Sequence, residues 1–257
     1  MADLRAVRVS GVGLLCPAGI GAEGLGSVPA GVVPGFRARS YVDDRKSLKL
    51  MTMAVRLGVA AIKQALDSDP TWSEVPPDRR GLFVGASPQP GDPDDLTAAL
   101  EAALNDQGDF DMDRYASDGY PLIHPLWLVR GLSNNIIGFA SAIHDLQGVN
   151  MNYCDGVAGG RTAILEGVAA VAEGRADLVL AGGADSWAGA EALLGGQPCG
   201  DGAGFVLLRP GEPCVREEVA SMSSENPPLS NGFLGAATWP VELCRRWVSQ
   251  GRAPTTR

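Results

Sequence analysis

Short apolar runs with strand character alternate with stretches of helical periodicity along the whole chain, and this alternation most constrains the fold. Residues 7–15 (VRVSGVGLL) are apolar and β-branched at several positions, and Cys16-Pro17-Ala18-Gly19 closes the run as a turn. Residues 22–40 have no sustained period and read as loop. Residues 47–66 carry apolar side chains at helical spacing; Ser47 is placed as the N-cap, and Asp67-Ser68-Asp69-Pro70 as the stop. Residues 81–86 (GLFVGA) form a second buried strand, a helix is expected over 96–104, and 105–120 are polar and irregular. A helix over 136–145, a strand over 149–153 and an Asp155-Gly156 turn follow. Next come a small-residue helix over 163–172 stopped by Gly174, a strand over 178–181 and a last strand over 203–208. Residues 211–228 read as an exposed linker, and a short helix over 241–248 closes the chain. Strand and helix in turn predict an α/β fold with a mostly parallel sheet covered by helices on both faces.

The charge excludes one large class of function. A net charge of -9 with no basic stripe argues against nucleic-acid binding, which needs clustered Lys and Arg. The five cysteines (Cys16, Cys154, Cys199, Cys214, Cys244) are scattered without a C-x-x-C pair, so neither a disulfide framework nor a metal site is expected. Gly182-Gly183 has no G-x-G-x-x-G or Walker pattern around it and reads as close strand packing, so no cofactor is expected. The first residues lack a basic segment followed by an apolar one, and no apolar run approaches the roughly 20 residues of a membrane span. The expectation is a cytoplasmic protein with no membrane contact.

Motifs with fixed order and spacing occupy residues 124–185. Leu132-Ser133-Asn134 precedes a helix; Gly148-Val149-Asn150 leads into a strand; Val157-Ala158-Gly159-Gly160 opens the next helix. That helix runs to the strand Ala176-Asp177-Leu178-Val179-Leu180-Ala181-Gly182-Gly183-Ala184-Asp185, and Gly200-Asp201-Gly202-Ala203-Gly204 follows. The series resembles the active-site region of thiolase-fold β-ketoacyl synthases. There a G-P-N-like turn, a strand, an A-C-x-S-G elbow, an A-D-x-x-x-A-G-G-A-E strand and a G-E-G-A-G turn come in the same order. Residues 8–21, 44–66 and 81–86 resemble the family's opening strand and turn, first amphipathic helix and second strand, so the likeness covers about residues 7–208. It implies a thiolase-like fold in which residues 1–210 are a ketosynthase N-terminal-like domain. Residues 211–257 are then a linker and a short remnant of the second half.

Departures from the family pattern bear on function. In the gapless register the nucleophilic cysteine falls on Val157, whose side chain has no lone pair or acidic proton and cannot take up an acyl group. The resemblance also calls for two histidines from the second half, whereas the only histidines here are His124 and His144, both before the elbow. The tail Asn231-Gly232-Phe233-Leu234-Gly235-Ala236-Ala237 resembles the family's G-H-x-x-G-A-A, with Gly232 where the histidine stands. A shortened homologue with these losses resembles the chain-length-factor subunits, compact ones of polyene pathways in particular. The implied partners are a full-length ketosynthase in a heterodimer and, through it, an acyl carrier protein. The resemblance places the residues 149–153 strand, with Val149, Met151 and Tyr153, at the heterodimer interface. It places Trp127 at the floor of the partner's acyl tunnel; the alternative is that Trp127 is a core residue.

Other residues keep two readings. Cys154, just before a helix N-terminus, is the alternative nucleophile of an acyltransferase or thioesterase-like enzyme, or a small buried apolar residue. A self-associating scaffold is a third functional reading. Asp155 is an N-cap or an acid placed in the site. Arg161 pairs with a carboxylate or reaches solvent. His144 is expected at the surface beside a helix end. His124 sits in an extended Pro-bounded segment with no neighbouring metal ligand.

Overall fold

The structure is a computed structural model and describes residues 4–87, 94–221 and 233–252. In chain order the principal elements are β1 (Val7–Cys16), β2 (Gly19–Ile20), α1 (Arg45–Leu50), α2 (Met53–Asp67), β3 (Arg80–Gly85), α3 (Asp94–Ala102), α4 (Met112–Arg114) and α5 (Trp127–Arg130). They continue with α6 (Asn135–His144), β4 (Asn150–Tyr153), α7 (Gly156–Ala172), β5 (Leu178–Ser186), β6 (Asp201–Pro210), α8 (Arg216–Ser221) and α9 (Thr238–Ser249). The chain divides into two compact units, residues 1–87 with 133–257, and residues 88–132.

The first unit holds a six-stranded sheet in the order β2-β1-β6-β5-β3-β4. β3 pairs in parallel with β4 and β5, whereas β6 runs antiparallel to both β5 and β1. β1, β3, β4 and β5 therefore share one direction, as the alternation of strand and helix implies, but β6 inserts between them reversed and the sheet is mixed. The connections explain the difference. A helix crossover (α7) links β4 to parallel β5, while the 187–200 segment contains no crossover helix and returns the chain alongside β5 in the opposite sense.

Side-chain alternation along the strands feeds two cores. Val179 and Ala181 point to the face covered by α7 and α9, with Ile164, Val171, Trp239 and Trp247. Leu178 and Leu180 point to the other face, against Leu57, Ile62 and Leu66 of α2 and Ile136 of α6. The short C-terminal remnant packs into the main core: Trp247 of α9 is fully buried, and residues 233–252 lie against the sheet and α7. Residues 211–221 are likewise no exposed linker, since Val215 and Val219 are buried against α7; residues 222–228 lie outside the described residues.

The long helix expected over 47–66 is two helices. Asp44, not Ser47, caps the first by accepting from Lys46 N and Ser47 N. The backbone then turns extended at Met51 and Thr52, which drives Met51 into the core at 1% exposure before α2 begins.

The second unit consists of α3, α4, α5 and short turns. Asp111 caps α4 by accepting from Asp113 N and Arg114 N, and Arg130 pairs with Asp95 at 3.0 Å. Its surface exposes Phe110, Met112, Tyr120, Leu122 and Leu128.

Candidate functional site

The parallel pair β3–β4 delivers the chain to an elbow, Cys154-Asp155, from which α7 departs at Gly156. Asp155 occupies the N-cap position, but its side chain makes no capping bond; the backbone closes the first turn instead, Ala158 N and Gly159 N donating to the Asp155 carbonyl at 3.0 and 3.2 Å. Val157 is the second residue of α7. It is half-buried against the helix-side core and offers the elbow only C–H groups.

The elbow is held by backbone contact too close for side chains. A β-carbon on Gly85 would overlap Gly160, and one on Gly160 or Gly183 would overlap the Ala236 carbonyl. Gly182 and Gly183 thus serve packing, as expected. The turn Gly235–Ala237 seats on this paving and is anchored from beneath by Asp185. Its buried carboxylate accepts from Ala236 N at 2.6 Å, from Ser87 N at 2.9 Å and from Ser87 Oγ at 2.5 Å. Burial pushes the Asp185 carboxyl above its usual range, against the opposing pull of these donors. The tail motif recognised in the sequence therefore meets the elbow in space. Gly232, where the family's histidine would stand, lies outside the described residues. Asp185 and Gly235 are legible as motif residues, but their contact, and the part Ser87 plays in it, carry no local sequence signal.

Cys154 is exposed, not a buried apolar residue. Its Sγ lies 3.0 Å from Ser133 Oγ and accepts from Asn152 Nδ2 at 2.9 Å. No imidazole is among its hydrogen-bond partners. His124 Nδ1 accepts from its own neighbour Leu126 N. His144 is half-buried rather than at the surface, edge-on to Trp72 with ring centres 6.1 Å apart. Arg80, the first residue of β3, lies over the same Trp72 ring, so His144 stands at the opposite end of β3 from the elbow, about 16 Å away along five strand residues. Burial, with Lys63 adding to it and Asp67 opposing, lowers the His144 pKa to about 4. Arg161 neither pairs with a carboxylate nor simply extends into water; its Cζ lies 5.9 Å from the Trp239 ring centre.

β4 ends the sheet. Leu82 N donates to Val149 O and Ala86 N to Tyr153 O, so the odd-numbered residues turn their polar backbone groups to β3. By the two-residue period, Asn150 and Asn152 turn theirs to the open edge. Met151 is 52% exposed, while Val149 and Tyr153 pack partly into the core, where burial raises the Tyr153 pKa. The backbone edge and Met151 suit an interface, but the Val149 and Tyr153 side chains are turned inward. Trp127 opens α5 in the second unit, half-buried, with its indole N–H withdrawn from water and unpartnered. Among the described residues no group of His, Cys, Asp and Glu could hold a metal, and no helix is long and apolar enough to cross a membrane.

A mixed sheet with α7 and α9 on one face and α2 and α6 on the other, with an elbow leading into α7, defines a thiolase-like ketosynthase fold. The chain belongs to the β-ketoacyl synthase family: the model of the β-ketoacyl synthase N-terminal domain matches residues 32–203. Three solved structures are similar. One is the AntDE:AntF assembly, a type II polyketide acyl-carrier protein with its ketosynthase (16% identity, TM-score 0.65, 86% of this chain and 66% of that one). Another is the ishigamide ketosynthase/chain length factor (18%, 0.65, 86% and 61%). The third is a β-ketoacyl synthase from Burkholderia phymatum (17%, 0.61, 86% and 62%). The chain thus spans just under two thirds of the length of these structures. No curated protein sequence matches it.

Proposed function

We propose that the chain is a non-catalytic, chain-length-factor-type partner of an active ketosynthase in type II polyketide, polyene or fatty-acid-like biosynthesis. The carrying observation is Val157 at the nucleophile's position on an otherwise well-formed elbow. Acyl transfer needs a nucleophile and a base to activate it, and this elbow offers a branched aliphatic side chain with no imidazole bonded to the nearby thiol. The fold is kept while the chemistry is lost, which suits a subunit that shapes its partner's tunnel. The open edge of β4 supports such pairing, since an unpaired strand is a template for another chain. Acyl carrier protein would then be engaged through the partner, as a type II polyketide ketosynthase is seen with its carrier in one similar structure.

In this reading Trp127 blocks the end of the partner's acyl tunnel, and volume alone does the work, each methylene that gains room contributing about 0.8 kcal/mol. The test is co-expression with a ketosynthase that carries the cysteine and both histidines, followed by size-exclusion chromatography and product analysis. A one-to-one complex is expected, and Trp127→Ala should shift products to longer chains without dissociating it. An intact complex with unchanged chain length removes Trp127 from the tunnel, and failure to co-elute with any such ketosynthase refutes the partner role.

A further inference from the structure

The charge of the chain is concentrated in its second unit. Residues 88–132 hold nine acids against Arg114 and Arg130, a net -7 of the chain's -9, so all the other residues together carry only -2. Both arginines are already engaged: Arg114 pairs with Asp106 and Arg130 with Asp95, each at 3.0 Å. Asp111 is engaged as the cap of α4. Glu101, Asp109, Asp113 and Asp118 are exposed, and among the described residues none of them has a partner cation.

These acids interleave with apolar side chains that face water. Leu104, Phe110, Met112, Tyr120 and Leu122 are between 40% and 66% exposed. The fold of the unit gathers them. Leu104 and Phe110 form a β-bridge, and the Phe110 and Tyr115 rings lie 5.6 Å apart. α3 passes so close to Gly119 that a β-carbon there would overlap the Ala99 carbonyl. Charge of either sign would keep such a surface in solution; an unbalanced excess of one sign selects what approaches it. It repels anionic membranes, nucleic acids and a second copy of this chain, whose unit brings the same sign. It attracts a surface whose apolar centre is ringed by Lys and Arg.

We propose that residues 100–122 dock a basic, apolar face of the ketosynthase partner, and that this match of charge favours the heterodimer over self-association. The inference rests on the partner reading and adds the chemistry of the surface that meets this unit. The test follows association of the full chain with its co-eluting ketosynthase by biolayer interferometry, from about 50 to about 500 mM NaCl. The association rate should fall at least about tenfold over that range. Glu101→Gln, Asp109→Asn, Asp113→Asn and Asp118→Asn combined should lower the low-salt rate at least about tenfold and flatten its salt dependence. Glu23→Gln, Asp43→Asn, Glu74→Gln and Glu166→Gln combined make the same change of net charge on exposed acids of the first unit, and should alter the rate less than about threefold. Met112→Ala with Tyr120→Ala should shorten the lifetime of the complex several-fold and leave its association rate unchanged. A wild-type rate and salt slope in the Glu101–Asp118 variant, equal loss in both charge variants, or an unchanged lifetime in the Met112–Tyr120 variant would overturn this inference while leaving the pairing itself intact. Absence of any complex with a ketosynthase would refute the pairing and this inference together.

Discussion

A β-carbon at position 235 would collide with the Asp185 carboxylate and the Trp187 indole nitrogen, and the backbone there has a φ of 55°. Only glycine meets both demands, so Gly235→Ala should lower stability by about 2–4 kcal/mol in urea unfolding. Asp185→Ala should cost about 3 kcal/mol, because it strands the Ser87 and Ala236 donors in a dry interior. Loss of less than about 1 kcal/mol in both variants would mean that the turn is not anchored as described. The Gly-Gly-Ala-Asp strand and the Gly-Ala-Ala tail are each legible as motifs, yet nothing local tells that residues 51 positions apart bond to each other. His144 escapes sequence reading for a similar reason: a helix-end histidine beside an aspartate reads as exposed until Trp72 folds against it. Its native pKa near 4 lies below the ordinary value of 6.5, so the unfolded chain takes up the proton first. This group therefore leaves stability intact above pH 6.5 and erodes it as pH falls toward 4. His144→Leu should flatten thermal stability over that window; an unchanged slope would show that the imidazole titrates freely.

Among the elements, β4 carries the functional argument. The ladder to β3 engages Val149, Met151 and Tyr153, which leaves the Asn152 N–H on the open side. Asn152→Pro should therefore spare the fold to within about 1 kcal/mol while weakening the partner complex at least tenfold. Asn152→Ala, which loses only the side-chain contacts to Ser133 and Cys154, should not weaken it. A proline variant that still forms the complex at full strength would move the interface elsewhere. Strand positions were readable because β-branched apolar runs bounded by Gly and Pro leave few alternatives. Helix ends were less so: the apolar period continues unbroken through Met51, and only core burial of that side chain splits α1 from α2. The reversal of β6 was hidden because its apolar pattern is the same in either direction.

At the scale of the molecule, the family fold is retained around an elbow that carries Val157 where the resemblance expects the cysteine. Two compact units divide the work: one carries the sheet and elbow, and the other exposes Phe110, Met112, Tyr120, Leu122 and Leu128 around the segment that bears Trp127. Five large apolar side chains exposed on 45 residues make a surface that the proposed partner would cover. Membership of the family was legible from motif order, while the convergence of elbow, Asp185 and tail required the folded chain. Acyl loading is the most direct test of the central claim. The co-purified pair is incubated with an acyl thioester of the carrier protein, and each subunit's intact mass is recorded. The acyl mass should appear on the ketosynthase only, and this chain should stay unmodified both alone and in the complex. A stoichiometric acyl adduct on this chain, abolished by Cys154→Ala, would contradict the account and make the protein an enzyme.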